Sequence, residues 1–207
     1  MLMIKRMFKI SITILILFLF SSCSSKFYYK ELTKQNLTYY VFNKNIKDVN
    51  TAMRNVFIDF NMNFSATFFE ENFYKKYFID SNNIYDMYLF VPNTYIQSEI
   101  YFNKNNNKGL DYYVKYFIHL DEIDTNKTKV TVNTISSQIL IGSKFGFAHN
   151  FRLRVANLIN VERETIQEYR ILLAIGDALN EEDMPSIILP NKNKHNFKVK
   201  KGKIVLR

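Results

Sequence analysis

The apolar positions of this chain change period several times, and each change marks a candidate element. Leu37 to Phe42 is a short run rich in Tyr, Val and Phe, the residue types that suit a pleated strand. Val49, Ala52, Met53, Val56, Phe57 and Phe60 then fall on one side of a 3.6-residue period, with Arg54, Asn55 and Asp59 opposite. This spacing predicts an amphipathic helix, for which Asp48 is a candidate cap. From Asn61 to Ile141 the period shifts toward two. Tyr85, Met87, Leu89 and Val91 alternate with Asp86, Tyr88 and Phe90; Pro92-Asn93 break the run before a second one over Tyr95 to Phe102, and the pair reads as a hairpin.

The segment 103–109, NKNNNKG, is a loop by composition. It precedes the sharpest alternation in the chain: Val114, Tyr116, Ile118 and Leu120 on one face, with Lys115, His119 and Asp121 on the other. A turn at 124–127, DTNK, leads to a strand with Val130, Val132 and Thr134 inward and Lys129, Thr131 and Asn133 outward. Together these predict an antiparallel meander with one solvated face. Gly142 to Gly146 interrupts it, after which Ala148, Phe151, Val155, Leu158 and Ile159 return to helical spacing. A final helix is expected after Asn160, its candidate cap. Glu162 and Glu164 suit its positive end, and Ile166, Tyr169, Leu172, Leu173, Ile175 and Leu179 form its apolar stripe. Pro185 and Pro190 close the domain. The expected fold is α+β: an antiparallel meander with amphipathic helices packed on one face. One domain spans 37–190, preceded by a polar tether over 23–36 and followed by a basic tail over 191–207, disordered apart from a small hairpin around Lys201-Gly202.

Composition sharpens this outline. An apolar fraction of 47% and an aromatic fraction of 16% are ample for a core, and 207 residues leave room for one domain rather than two. The net charge of +9 is distributed unevenly. Three basic residues, Lys5, Arg6 and Lys9, precede the first apolar run, and seven lie in the tail, so the stretch between Cys23 and Pro190 is close to neutral. A near-neutral body lacks the basic face that phosphate contacts require, which argues against a nucleic-acid partner.

The N-terminus carries the most specific motif. A short basic segment, MLMIKRMFK, is followed by ISITILILFLF, an apolar run of about eleven residues where a membrane span needs about twenty, which is the layout of a secretory signal over residues 1–22. Positive charge ahead of the run holds the N-terminus on the cytoplasmic side and directs the rest of the chain outward. Phe20-Ser21-Ser22-Cys23 resembles a bacterial lipobox: an apolar residue, most often Leu in that family, then two small residues and the cysteine to be acylated. The resemblance covers this segment alone. It implies cleavage between Ser22 and Cys23, a diacylglyceryl thioether on the Cys23 sulfur and an acylated Cys23 amine, hence a membrane held through acyl chains. Cys23 is also the single cysteine, so lipidation would remove a thiol that has no partner for an intramolecular disulfide. Ser24 and Ser25 include no Asp of the kind that retains lipoproteins at the inner membrane, so in a cell with two membranes the outer one is favoured.

Chemistry is sparse. His119, His149 and His195 are isolated, without HExxH spacing or a cysteine partner, and no cofactor motif, phosphate loop or GxSxG element occurs. His149, near Arg152 and after the loop GSKFGFA, is the better candidate for ligand contact, with Arg152 beside it. Three function classes remain: a non-catalytic envelope protein that binds another protein, a carrier of lipid or another apolar ligand, and an enzyme of unrecognised type. A continuous apolar pocket of about 300 Å³ or more would favour the carrier, and a filled core would dismiss it.

Overall fold

The computed structural model describes residues 27–59, 63–64, 87–91, 96–148 and 151–206, with side chains described outside 58–95 and 143–156. Among these residues lie ten strands and two helices, and all strand pairings are antiparallel. The fold is α+β, dominated by antiparallel sheet.

Its spine is one long hairpin, β6 (Gly109–Asp124) and β7 (Lys127–Ala148), joined by a two-residue turn in which the Asp124 carboxylate accepts the Asn126 amide at 2.8 Å. In β6 every second side chain from Leu110 to Leu120 is buried, as the alternation predicts. In β7 the inward parity changes. Val130 and Val132 are buried, a bulge follows opposite Lys115 and Tyr116, and Ser137 and Ile139 are buried beyond it.

Each outer edge of this hairpin is shared by two shorter strands. On β6, β5 (Gln97–Asn103) pairs near the start and β4 (Met87–Val91) pairs with Val114–Ile118. β4 also pairs with the two residues of β3 (Asn63–Phe64). On β7, β2 (Tyr39–Phe42) takes the start and β8 (Phe151–Asn160) the end. The hairpin expected between 85–91 and 95–102 is therefore not formed. Periodicity identifies both strands, but a 16-residue β6 offers an edge long enough to take the two in tandem.

Two further expectations fail for one reason. Gly142 does not interrupt the sheet; it sits in a second bulge of β7, between Leu140 and Ser143, at φ 132°, a conformation open to glycine. Residues 151–160 are strand rather than helix. The apolar residues at 148, 151, 155, 158 and 159 do fit a helical stripe, but Phe151-Arg152-Leu153-Arg154-Val155 also alternates with period two, and the edge of β7 decides between them.

Helix α1 (Ile46–Asp59) buries Val49, Ala52, Met53, Val56 and Phe57 as its period requires; Phe60 lies outside the described residues. Its cap is Asn45 rather than Asp48. The Asn45 side chain accepts the Asp48 amide at 3.0 Å and donates to the Asp48 carboxylate at 2.7 Å, so Asp48 is the third residue of a reciprocal cap. Helix α2 (Thr165–Leu179) buries Ile166, Tyr169, Leu172, Ile175 and Leu179. Its cap position is Glu164; Asn160 ends β8 and accepts a bond from Gln138 instead. The helices touch each other, α1 touches β6 and β7, and α2 touches β7 and β2.

Both ends of the described residues are part of the sheet. β1 (Phe27–Tyr29), which the sequence assigns to a tether, pairs with β5 on one side and with β9 (His195–Lys200) on the other. β9 and β10 (Lys203–Leu206) form the expected hairpin, turning at Lys201 and Gly202, both at positive φ as a two-residue hairpin turn demands. The hairpin is not peripheral: Phe197 is buried, stacked on Phe27 and edge-on to Tyr101. The neighbouring segment is fixed by Asn36, whose side chain accepts the Ile188 amide at 2.6 Å and donates to the Ile188 carbonyl at 2.9 Å.

Candidate functional site

The first turn of α2 is unusual because its polar side chains point inward. Glu164, Thr165, Gln167 and Glu168 are all buried where α2 leaves the loop after β8 and crosses the sheet. Carboxylates in such a position must be hydrogen-bonded or neutralised. Glu164 accepts the Ser98 hydroxyl and, at 2.9 Å, the Glu99 amide. Ser98 in turn accepts the amides of Ile100 at 3.1 Å and Tyr101 at 2.7 Å, so its oxygen is engaged on every side. The Glu164 amide donates to the Tyr112 hydroxyl at 3.2 Å. Burial pushes the Glu164 carboxyl up to about 7, against the opposing pull of the Ser98 and Glu99 hydrogen bonds.

One turn later, Glu168 accepts the Thr134 hydroxyl at 2.5 Å and lies 3.8 Å from the Arg163 guanidinium. Among the described residues its second carboxylate oxygen is buried without a hydrogen-bond partner, and burial raises its pKa. Two more buried atoms share that condition: the Tyr116 hydroxyl and the Gln167 amide nitrogen.

Those last two residues line one cavity. It has a volume of about 220 Å³ and, among the described residues, is also walled by Val56 and Phe57 of α1, Ile96 before β5, and Arg170, Ile171 and Ala174 of α2. Arg170 is half-exposed and pairs with Glu99 at 3.1 Å, so it stands where the cavity meets solvent. The volume falls short of the 300 Å³ that would favour the carrier reading. A second, wider cleft of about 800 Å³ lies between β1, β5, the loop after β8 and β10. Its walls are mixed, with Ile100, Tyr101, Ile204 and Leu206 beside Lys30, Glu31, Glu162 and Arg163, so it is no continuous apolar pocket.

Of the residues singled out from sequence, Ser22, Cys23 and His149 lie outside the described residues. Arg152 stands on β8 opposite Phe147. His119 is half-buried and bonds Asp121 at 2.7 Å on the outer face of β6, where the alternation puts it. His195 is exposed at the start of β9, against the Tyr29 ring. Among the described residues no group of three or more His, Cys, Asp or Glu could hold a metal ion, and no helix is long and apolar enough to cross a membrane. Sequence reading takes Tyr116 as plain core and passes over Gln167. A signal for the latter exists: Gln167, Ile171 and Ala174 share one helix face, and Gln167 is the polar residue on it. No family model matches the chain, and neither a curated protein nor a solved structure matches it.

Proposed function

We propose that the chain is the precursor of a bacterial envelope lipoprotein, cut before Cys23 and acylated there, whose domain is a non-catalytic binding or assembly component held against the membrane surface. One observation carries this reading beyond the lipobox resemblance. β1 starts at Phe27, four residues after Cys23, and four residues of extended chain span at most about 14 Å. Acyl chains on Cys23 would therefore bring the β1–β9–β10 side of the sheet to the bilayer, rather than suspend the domain on a tether. That side carries Lys198, Lys200, Lys201 and Lys203, and each cation near an anionic lipid surface contributes on the order of 1 kcal/mol. The helices, packed together on one face of the sheet, leave β2 as the place for a protein partner. Among the described residues β2 pairs with β7 alone, and Leu37, Tyr39 and Val41 are exposed there.

The deciding experiment is mass spectrometry of the protein from its native host, with membrane fractionation of Cys23→Ala alongside. The reading requires a mature chain beginning at a lipid-modified Cys23, and a variant that is released or left uncleaved. An unmodified Cys23, or a variant that fractionates normally, refutes it.

A further inference from the structure

We propose that the face of β5, β1, β9 and β10 turned away from Phe27 and Phe197 is a docking surface for the anionic phospholipids of a bilayer. The inference rests on the envelope reading, under which the chain meets a membrane, but the contact itself needs no acyl chain.

The register sorts the side chains of these strands onto two faces. Phe27 stands opposite Asn103 and Phe197, and Tyr28 opposite Phe102 and Asn196, so the Tyr28 face is the reverse of the one that packs Phe27 on Phe197. Tyr28 and Phe102 stack there with centroids 5.3 Å apart, and a cation lies on each ring. Lys30 Nζ is 4.4 Å from the Phe102 centroid and Lys194 Nζ is 4.6 Å from that of Tyr28. Lys104 reaches the same face and donates to the Asn196 side chain at 3.2 Å. Lys198 and Lys200 follow Asn196 at the two-residue period of β9, and Lys203 stands opposite Lys200 on β10. Apart from the half-buried Lys30, all these lysines are exposed.

No acid on these strands answers them. β1, β9 and β10 contain neither Asp nor Glu, and Glu99 of β5 pairs with Arg170 of α2 at 3.1 Å. Glu31 belongs to the opposite face, where it accepts the Tyr29 hydroxyl at 3.3 Å. Asp111 comes on the next strand, β6, opposite Gln97. Like charges directly opposite, as Lys200 and Lys203 are, destabilise a sheet, and strands about 5 Å apart hold neighbouring cations within a Debye length of about 10 Å. An anionic surface relieves this repulsion at every lysine at once.

The position of β1 makes that surface a bilayer. β1 runs antiparallel to β9 and begins on the side where the hairpin turns at Lys201 and Gly202. Phe27 follows Cys23 by four residues, a reach of at most about 14 Å, so an anchor at Cys23 keeps this face beside the headgroups. Val205, opposite Lys198, adds an exposed apolar side chain to the lysine stems, which suits the boundary between headgroups and acyl chains.

The test is amine acetylation of the full chain, reconstituted with vesicles of phosphatidylcholine alone or with a third phosphatidylglycerol, and read lysine by lysine by mass spectrometry. With the anionic vesicles Lys30, Lys194, Lys198 and Lys203 should react at least about fivefold more slowly than with the neutral ones, while Lys44, Lys47 and Lys127 keep their rates. Molar salt should remove the difference. The double variant Lys30→Gln with Lys194→Gln, both outside the terminal hairpin, should lose most of the protection of Lys198 and Lys203. Equal rates with the two kinds of vesicle overturn the docking surface. Unchanged protection in the double variant confines the contact to the hairpin and overturns the assigned face. Stronger protection of the same lysines by duplex DNA than by anionic lipid overturns the assigned partner. An unmodified Cys23 in the same spectra refutes the anchor alone, and the comparison of vesicles then still decides the docking.

Discussion

Replacing Phe197 by alanine asks whether the basic hairpin at the end of the chain belongs to the core. The ring is 2% exposed, stacked on Phe27 with centroids 5.4 Å apart and edge-on to Tyr101 at 5.9 Å. Buried Phe→Ala substitutions cost about 3–5 kcal/mol through lost transfer energy and the cavity left behind, and aromatic pairs contribute roughly 0.5–1.5 kcal/mol beyond burial. For a domain of this size 1 kcal/mol corresponds to roughly 2–4 °C in Tm, so the expected drop is about 6–20 °C. Thermal unfolding followed by circular dichroism measures it, with Val205→Ala on the exposed face of β10 as a control expected to move Tm by no more than about 2 °C. A drop below about 2 °C for Phe197→Ala would refute the argument, because it would mean that β9 lies on the domain without being part of its packing.

Stability should fall as pH rises from about 4.5 to about 7. Glu164 takes up its proton more readily folded than unfolded, so the native state binds more protons across that window, and the contribution, about 3 kcal/mol, is present at low pH and lost above it. Denaturant titrations at pH 5 and pH 8 should show this difference in wild type and a much smaller one in Glu164→Gln; an unchanged slope in the variant would locate the effect elsewhere. Asn36→Ala should destabilise the fold by about 2–5 kcal/mol in urea titrations, since it removes both bonds to Ile188 and leaves that residue's amide and carbonyl unpaired. A loss under about 1 kcal/mol would show that the 185–190 segment is held without it. Gly109→Ala should cost about 1–3 kcal/mol, because the added methyl would run into the Ser98 carbonyl oxygen where β5 meets β6, and a neutral result would show that the two strands separate easily.

Where one face of an element is buried and the other wet, the sequence reveals it. The alternation from Val114 to Leu120 gives β6, the stripe from Val49 to Phe57 gives α1, and Ile166 to Leu179 gives α2. What fails is pairing. Nothing in the alternation of 87–91 or 97–103 says that both strands dock on β6, because an antiparallel edge accepts any strand of suitable pleat and its partner is fixed by tertiary packing. The ends of the chain fail for a related reason. Phe27-Tyr28-Tyr29 is too short to signal a strand among polar neighbours, and the hairpin around Lys201-Gly202 carries no sign that β1 is its partner.

The buried polar layer under α2 is hidden from sequence for a different reason: its defining feature is a mismatch between side-chain type and environment, which exists only after folding. Tyr116 occupies an inward position of a regular strand, and as sequence it is indistinguishable from Val114 or Ile118 beside it. Its hydroxyl becomes informative when the polar groups nearby are found engaged elsewhere. Tyr112 takes the Glu164 amide, Glu164 takes Ser98 and the Glu99 amide, and Thr134 donates to Glu168. The layer under α2 thus satisfies many of its buried polar groups and leaves the second Glu168 oxygen, the Tyr116 hydroxyl and the Gln167 amide nitrogen without a hydrogen-bond partner among the described residues. A sequence selected only for stability has a simple remedy in phenylalanine and leucine at those positions. The presence of tyrosine and glutamine there instead is a cost to folding of which the hydrophobic pattern of the sequence gives no sign.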